Sequence, residues 1–148
     1  MIGWRRHLHA NPELSFEEHE TASFVGRTLA SFEGVTIERP TPTSVVGRVH
    51  GSPGGRLVVL RADLDALPLS EESDVPYAST RPGVMHACGH DGHTAMLLGA
   101  AQVLAERRSD FAGEVRFVFQ HAEEVPPGGA EALVDAGVVY VADLVAGV

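Results

Sequence analysis

The sequence predicts an α/β fold, a sandwich in which helices pack on a mixed, mostly parallel sheet. Apolar strand-like segments alternate along the chain with segments whose apolar residues recur at helical spacing. Polar residues of metal-binding type collect next to the ends of these segments, as sites do in open α/β sheets. The 148 residues fit one ordinary domain, and a hydrophobic content of 44% is enough for a real core.

The amino-terminal half is predicted to contain two helices and three strands. The expected elements, in order, are a helix around 4–9, a helix 15–32 and strands 35–38, 44–50 and 56–63. Ser15 and Glu18 form a capping-box pattern, and Gly34 is a typical helix end. The segment Gly51–Gly55 (GSPGG) is expected to be a hairpin connection. The strand after it (RLVVLRAD) is apolar enough to be central and covered on both faces.

The carboxyl-terminal half continues the alternation. We expect a long helix 92–107, a strand 114–120, a short helix 129–136 and a last, buried strand 144–148. The long helix has apolar residues over a broad arc, which indicates heavy burial. Its start directly follows the segment MHACGHDGHTA, which holds three histidines and the single cysteine of the chain.

Composition excludes several classes of function. The net charge of −9 argues against a nucleic-acid partner or an anionic membrane surface, because both require a basic face. No apolar run has the length of a membrane span, and the amino terminus lacks the apolar core of a secretory signal. One cysteine cannot form an internal disulfide, so the cytosol is the expected compartment.

Three polar clusters are candidates for chemistry, and each has a simpler alternative. The clusters are Asp63 with Asp65, Cys88 with His90, Asp91 and His93, and Glu123 with Glu124. The aspartates could be turn residues, the glutamates a solvated pair and the cysteine a small core residue. His93 could be a plain first-turn residue of the helix, and His7, His9, His19 and His50 are expected on the surface.

Taken together, the clusters favour a metal site. Thiolate, imidazole and carboxylate are the ligand set of a transition metal. Gly89 separates Cys88 from His90 and lets the backbone bend so that both side chains face one point. A cysteine hydrolase using these two residues is a weaker hypothesis, because residues two apart seldom align as nucleophile and base.

Four segments resemble the M20 family of metallo-amidohydrolases, in the branch that hydrolyses N-acyl amino acids, hippurate and auxin conjugates. They are WRRHLHANPELSFEEHET, RADLDALP, MHACGHDGHTA and FQHAEEVPPGGA, in the family's order. The resemblance implies a three-layer αβα sandwich of zinc-peptidase type and a divalent metal site with two ions, commonly manganese, zinc, nickel or cobalt. It also implies an N-acyl amino acid as the small-molecule substrate and a homodimeric complete protein.

The resemblance also implies roles for individual residues. Cys88, His90 and Glu124 would be metal ligands, and Glu123 the general base that takes a proton from the attacking water. Asp65 would orient the site. The role of Asp63 stays open, because more distant relatives have a histidine ligand there, and Asp91 and His93 belong to the motif without being ligands.

The match departs from the family in two places and stops short of the whole domain. His121 stands where the family usually has proline. It could be an extra metal ligand, but we favour a substitution on the surface. The stretch Val125-Pro126-Pro127 is slightly longer than usual. Residues 1–148 correspond to the amino-terminal part of the catalytic domain, without the lid or dimerisation domain. We therefore expect exposed apolar surface and no activity of the chain alone; a non-catalytic metal-binding fragment is the alternative.

Overall fold

The computed structural model describes residues 1–147, and Val148 lies outside the described residues. The helices are α1 (Ile2–Ala10), α2 (His19–Ala30), α3 (His90–Glu106) and α4 (Ala130–Asp135), with a short 3-10 turn at Arg108–Asp110. The strands are β1 (Val35–Glu38), β2 (Val45–His50), β3 (Ser52–Asp63), β4 (Ala112–Gln120) and β5 (Leu144–Gly147). The elements expected from the sequence are all present, with shifts of a few residues at their ends.

The five strands form one mixed sheet in the order β1-β2-β4-β3-β5. β1 with β2 and β2 with β4 are antiparallel, whereas β3 with β4 and β3 with β5 are parallel. Parallel pairing of β3 and β4 places Asp63 opposite Gln120, so both strands end at the same edge of the sheet. That edge carries the candidate site.

Helices cover both faces of the sheet, which confirms the predicted sandwich. The larger core joins α2 and α3 to one face, around Leu29, Leu98 and Phe117, all 0% exposed. The smaller core packs Leu133 of α4 against Val59 on the other face. The pairings divide evenly between parallel and antiparallel, where mostly parallel pairing was expected.

The hairpin predicted at Gly51–Gly55 is wrong. β2 and β3 do not pair, because β4 lies between them and pairs with both. The segment instead runs past the start of β4, where a Cβ on Gly55 would lie 2.4 Å from the carbonyl oxygen of Ala112. Glycine is required there for close backbone approach and not for a two-strand turn.

The predicted start of α2 is also wrong. The helix begins at His19 rather than at Ser15, and the Ser15 hydroxyl donates to Asp65 instead of capping the helix. The buried carboxylate of Glu13 accepts hydrogen bonds from the N–H groups of Glu20 and Thr21, at 3.3 and 2.8 Å. Glu13, upstream of the helix, therefore supplies the acceptors for the free N–H groups of the first turn of α2.

The last strand was expected to be buried, but β5 is exposed along its whole described length. It pairs with β3 on one side only, so it forms an edge of the sheet. Leu144, Val145 and nearby Met96 are all at least half exposed, which agrees with the expected exposed apolar surface. The inner strand β3 is correspondingly only partly covered. Within residues 1–147, no helix combines the length and apolarity needed to cross a membrane.

Candidate metal centre

Two segments of the chain, one at residues 88–90 and the other after β4, bring three donor atoms together beyond the carboxyl ends of β3 and β4. Cys88, His90 and Glu124 each offer one ligand atom, and these atoms lie within 4.8 Å of one another. Gly89 lies between Cys88 and His90 and has φ +93°, a left-handed backbone conformation that residues other than glycine rarely adopt. The bend expected from the sequence is therefore present, and Cys88 is exposed rather than a core residue.

The hydrogen bonds of His90 decide which ring nitrogen is free. Nδ1 lies 2.8 Å from the carbonyl oxygen of Asp65, which can only accept, so Nδ1 carries the proton and donates. The lone pair of Nε2 then faces Oε1 of Glu124 and Oδ1 of Asp63, each 3.6 Å away. Burial lowers the pKa of His90, but the hydrogen bond to Asp65 and the charges of Asp63 and Asp65 raise it more, so these acceptors favour a cation at this point, either a proton on Nε2 or a metal ion.

Two further features show that the residues fit a divalent metal. Oε1 of Glu124 is buried and has no hydrogen-bond partner among the described residues. The pKa of the Cys88 thiol is raised, chiefly by its hydrogen bond to Glu124 and also by desolvation and nearby carboxylates, so negative charge is in excess here and a divalent cation would reverse the effect and release the thiolate. A thiol, an imidazole nitrogen and an unsatisfied carboxylate oxygen form a soft-to-borderline donor set that fits a divalent transition metal.

A second cluster shares His90 and adds Asp63 and His93, again with ligand atoms within 4.8 Å. Here the acceptors already have partners. Oδ1 of Asp63 lies 2.8 Å from Nδ1 of His93, and Oδ2 lies 2.7 Å from the guanidinium of Arg61. Both carboxylate oxygens of Asp63 therefore have partners already, unlike Oε1 of Glu124. His93 does more than begin a helix, because it binds Asp63 across the site.

Asp65 contacts both His90 and the backbone of Glu124, and so links the two segments that carry the metal-type side chains. Its carboxylate accepts from the Ser15 hydroxyl at 2.6 Å and from the N–H of Glu124 at 3.0 Å, and it lies 3.2 Å from Nδ1 of His90. Burial alone would raise the pKa of Asp65, but hydrogen bonds from His90, Ser15 and the backbone of Glu124 and Glu123 hold it well below its usual range. Asp65 is thus a fixed anion that orients its neighbours.

The two adjacent glutamates point into different surroundings. Glu124 is partly buried and faces His90, whereas Glu123 is exposed and makes no side-chain hydrogen bond to another residue in 1–147. The chain bends at these residues instead of continuing β4, and the bend gives the two side chains their different surroundings. This arrangement suits the division predicted from the sequence, with one glutamate holding a metal and the other handling a proton.

Asp91, at the start of α3, lies behind the centre and does not face it. Its Oδ2 accepts from Nδ1 of His9 and from Nε of Arg5, both at 2.7 Å. The other nitrogen of His9 lies 3.0 Å from Glu71. His9 is only 6% exposed, so the prediction that it lies on the surface is wrong, while His7, His19 and His50 are exposed as expected. Two carboxylates stabilise His9 in the interior, and its sequence neighbours give no sign of either.

His121 is also buried, so the favoured surface position is wrong. Its ring meets the ring of Phe16 edge-on, with centroids 5.8 Å apart, and Nδ1 lies 3.5 Å from the Thr41 hydroxyl. Burial lowers the pKa of His121. It belongs to neither group of metal-type side chains found in the described part of the chain.

The family follows from sequence as well as geometry. Residues 59–147 match the family model described as peptidase family M20/M25/M40, and this range includes every donor of the centre. The chain belongs to this family. The match confirms the family resemblance and contains three of the four sequence segments; WRRHLHANPELSFEEHET precedes the matched range.

Individual M20 relatives give the same result. An N-acyl-L-amino acid amidohydrolase of Geobacillus stearothermophilus is 59% identical over 147 residues, which are 99% of this chain and 40% of that protein. The N-acetyl-L-cysteine deacetylase of Bacillus subtilis is 48% identical over 137 residues, 91% of this chain and 32% of that protein. This chain spans about two-fifths of the length of the first of these and of similar curated relatives.

Solved structures confirm the fold. The YXEP protein of Bacillus subtilis, a dinuclear metal-binding peptidase from the M20 family, superimposes with a TM-score of 0.93 at 42% identity. The superposition covers 99% of this chain and 41% of that one. An aminohydrolase structure from methicillin-resistant Staphylococcus aureus gives a TM-score of 0.94 at 43% identity, covering 99% of this chain and 38% of that chain.

Proposed function

We propose that this chain supplies the metal-holding part of an amidohydrolase that cleaves the amide bond of N-acyl amino acids. The observation that carries the proposal is the convergence of Cys88, His90 and Glu124 on one point, with a free carboxylate at Glu123 beside it. Relatives named as an N-acyl amino acid amidohydrolase and as an N-acetyl-cysteine deacetylase support this substrate class.

Each residue has a distinct task in this proposal. Cys88, His90 and Glu124 would hold a divalent transition metal, and Asp65 keeps His90 in the tautomer that presents Nε2. When bound, such a metal polarises the amide carbonyl and makes a water more acidic. The free carboxylate of Glu123 can take a proton from the attacking water and return it to the departing amine nitrogen.

The number of metals is a separate part of the proposal. The YXEP relative is a dinuclear metal-binding protein. Within residues 1–147, the first cluster offers three ligand atoms, enough for one metal. Asp63 and His93, in the adjacent cluster, are already paired. We propose that a second metal requires additional ligands from the complete protein.

A test of the proposal separates metal binding from turnover. In the complete protein, Glu123→Ala should abolish hydrolysis of an N-acetyl amino acid while metal content stays that of the wild type. Glu124→Ala should reduce both, because it removes a ligand. Equal loss of metal in the two variants would refute the division of roles between the glutamates. Metal binding without hydrolysis in the wild-type protein would favour a non-catalytic metal-binding function.

A further inference from the structure

The backbone just before the two glutamates is held in an unfavourable conformation. Ala122 has φ +46°, in the left-handed region, and its side chain is 0% exposed. A residue with a Cβ adopts this conformation only when surrounding contacts stabilise it. The direction of the chain at Ala122 determines where Glu123 and Glu124 point, so the contacts that hold it matter for the site.

Glu18 provides such a contact from far away in the sequence. Its Oε1 accepts a hydrogen bond from the N–H of Ala122 at 2.6 Å, across 104 residues of chain. Glu18 precedes α2 and is 0% exposed. A short hydrogen bond from a backbone N–H to a buried carboxylate is stronger than a neutral one, and it fixes both partners.

Asp65 holds the other end of the same short segment. Its Oδ2 accepts from the N–H of Glu124 at 3.0 Å. Two buried carboxylates from different parts of the chain thus bind the backbone on either side of Glu123, which leaves the side chains of both glutamates free. The backbone N–H groups are the anchored part, and the carboxylates at 123 and 124 are the part presented to the site.

Simple filling of the core does not account for a glutamate at position 18. Its Oε2 is buried without a hydrogen-bond partner among the described residues, and burial raises the pKa of this carboxyl group. An apolar side chain of similar size would avoid that desolvation penalty. The hydrogen bond to Ala122 is the contact that an apolar residue could not make.

We propose that Glu18 is a positioning residue for the metal centre. By holding Ala122 in the left-handed conformation, it aims Glu124 at Cys88 and His90 and keeps Glu123 on the open side. This inference rests on the proposed function, because it assigns Glu18 a task at that same centre. It predicts that Glu18 affects metal affinity without contacting the metal.

The experiment measures cobalt(II) affinity of the 148-residue chain through the near-ultraviolet absorption of a cobalt–thiolate bond. Glu18→Met fills a similar volume but cannot accept from the Ala122 N–H, and it should weaken binding by about tenfold or more. Glu18→Gln keeps a carbonyl oxygen at the same place and should stay within about threefold of the wild type. Should Glu18→Met fail to fold, Glu18→Ser, which is too short to reach Ala122 and leaves room for water, carries the same expectation.

Glu13→Met is the matched control. Glu13 is another buried carboxylate of the same loop, 4% exposed, and it binds the start of α2 instead of residues 122–124. It should lower stability to urea but leave cobalt affinity within about threefold. Equal affinity in Glu18→Met and wild type, or equal loss in Glu13→Met and Glu18→Met, overturns the inference. No cobalt–thiolate absorption in the wild type would instead refute the proposed metal centre.

Discussion

Replacing His9 tests whether its buried contacts with Asp91 and Glu71 stabilise the folded protein. The ring lies between two carboxylates, with Nδ1 2.7 Å from Asp91 and Nε2 3.0 Å from Glu71. The side chains of these three residues are 8%, 1% and 5% exposed. His9→Ala removes both hydrogen bonds and leaves two poorly solvated carboxylates with fewer partners.

The expected loss follows from what each carboxylate retains. A hydrogen bond to a charged group contributes about 1.5–3 kcal/mol, so removing two gives a gross loss of about 3–6 kcal/mol. Asp91 keeps its bond to Arg5, and Glu71 keeps the Ser73 hydroxyl and the backbone N–H of Ser79, so these contacts offset part of that loss. We therefore expect the free energy of unfolding to fall by about 2–4 kcal/mol.

Urea unfolding followed by circular dichroism measures this change. His7→Ala is the matched control, since His7 lies on the same helix and is exposed, and among residues 1–147 its side chain makes only a ring stack on Phe24. It should cost about 0.5 kcal/mol. A loss below about 1 kcal/mol for His9→Ala, or an equal loss in both variants, would refute the reasoning that the two carboxylates depend on His9.

Three further predictions concern charge, reactivity and activity. Burial raises the pKa of Glu114, but Arg116 and Arg48 lower it more, so the pKa is lower in the folded protein than in the unfolded chain. The ionised Glu114 side chain therefore stabilises the fold above about pH 4.5, and this stabilisation is lost as the pH falls. Glu114→Gln should therefore lower the free energy of unfolding by about 1 kcal/mol at neutral pH; a difference that does not shrink as the pH falls would contradict this. Alkylation of exposed Cys88 should be slow with metal and fast with chelator, and equal rates would exclude it as a ligand. The 148-residue chain should show no hydrolysis of an N-acetyl amino acid; clear metal-dependent turnover would overturn this.

The sequence predicted the parts of the site that are encoded locally. Cys88 and His90 are two residues apart with a glycine between them, so their convergence requires only one left-handed residue. Glu123 and Glu124 are adjacent and were expected to point in different directions; they do have different surroundings, although the chain bends there and does not continue as a strand. The α/β fold was likewise predictable, because helical and strand periodicities are local properties.

Contacts between distant segments were not predictable in this way. His9 was expected on the surface, and this was wrong because its two carboxylate partners lie 62 and 82 residues away, where local sequence gives no sign of them. Gly51–Gly55 has the composition of a hairpin turn, but the insertion of β4 between β2 and β3 is a property of the whole sheet. Ser15 matched a capping box, yet Asp65, 50 residues away, takes its hydroxyl.

The central claim is that Cys88, His90 and Glu124 hold one metal, and a cobalt(II) titration of the chain tests it most directly. We predict cobalt–thiolate absorption that saturates near one equivalent in the wild type. It should be lost in Cys88→Ser and persist in His93→Ala, because His93 is already bound to Asp63. Absorption that persists in Cys88→Ser, or is absent from the folded wild type, would contradict the account.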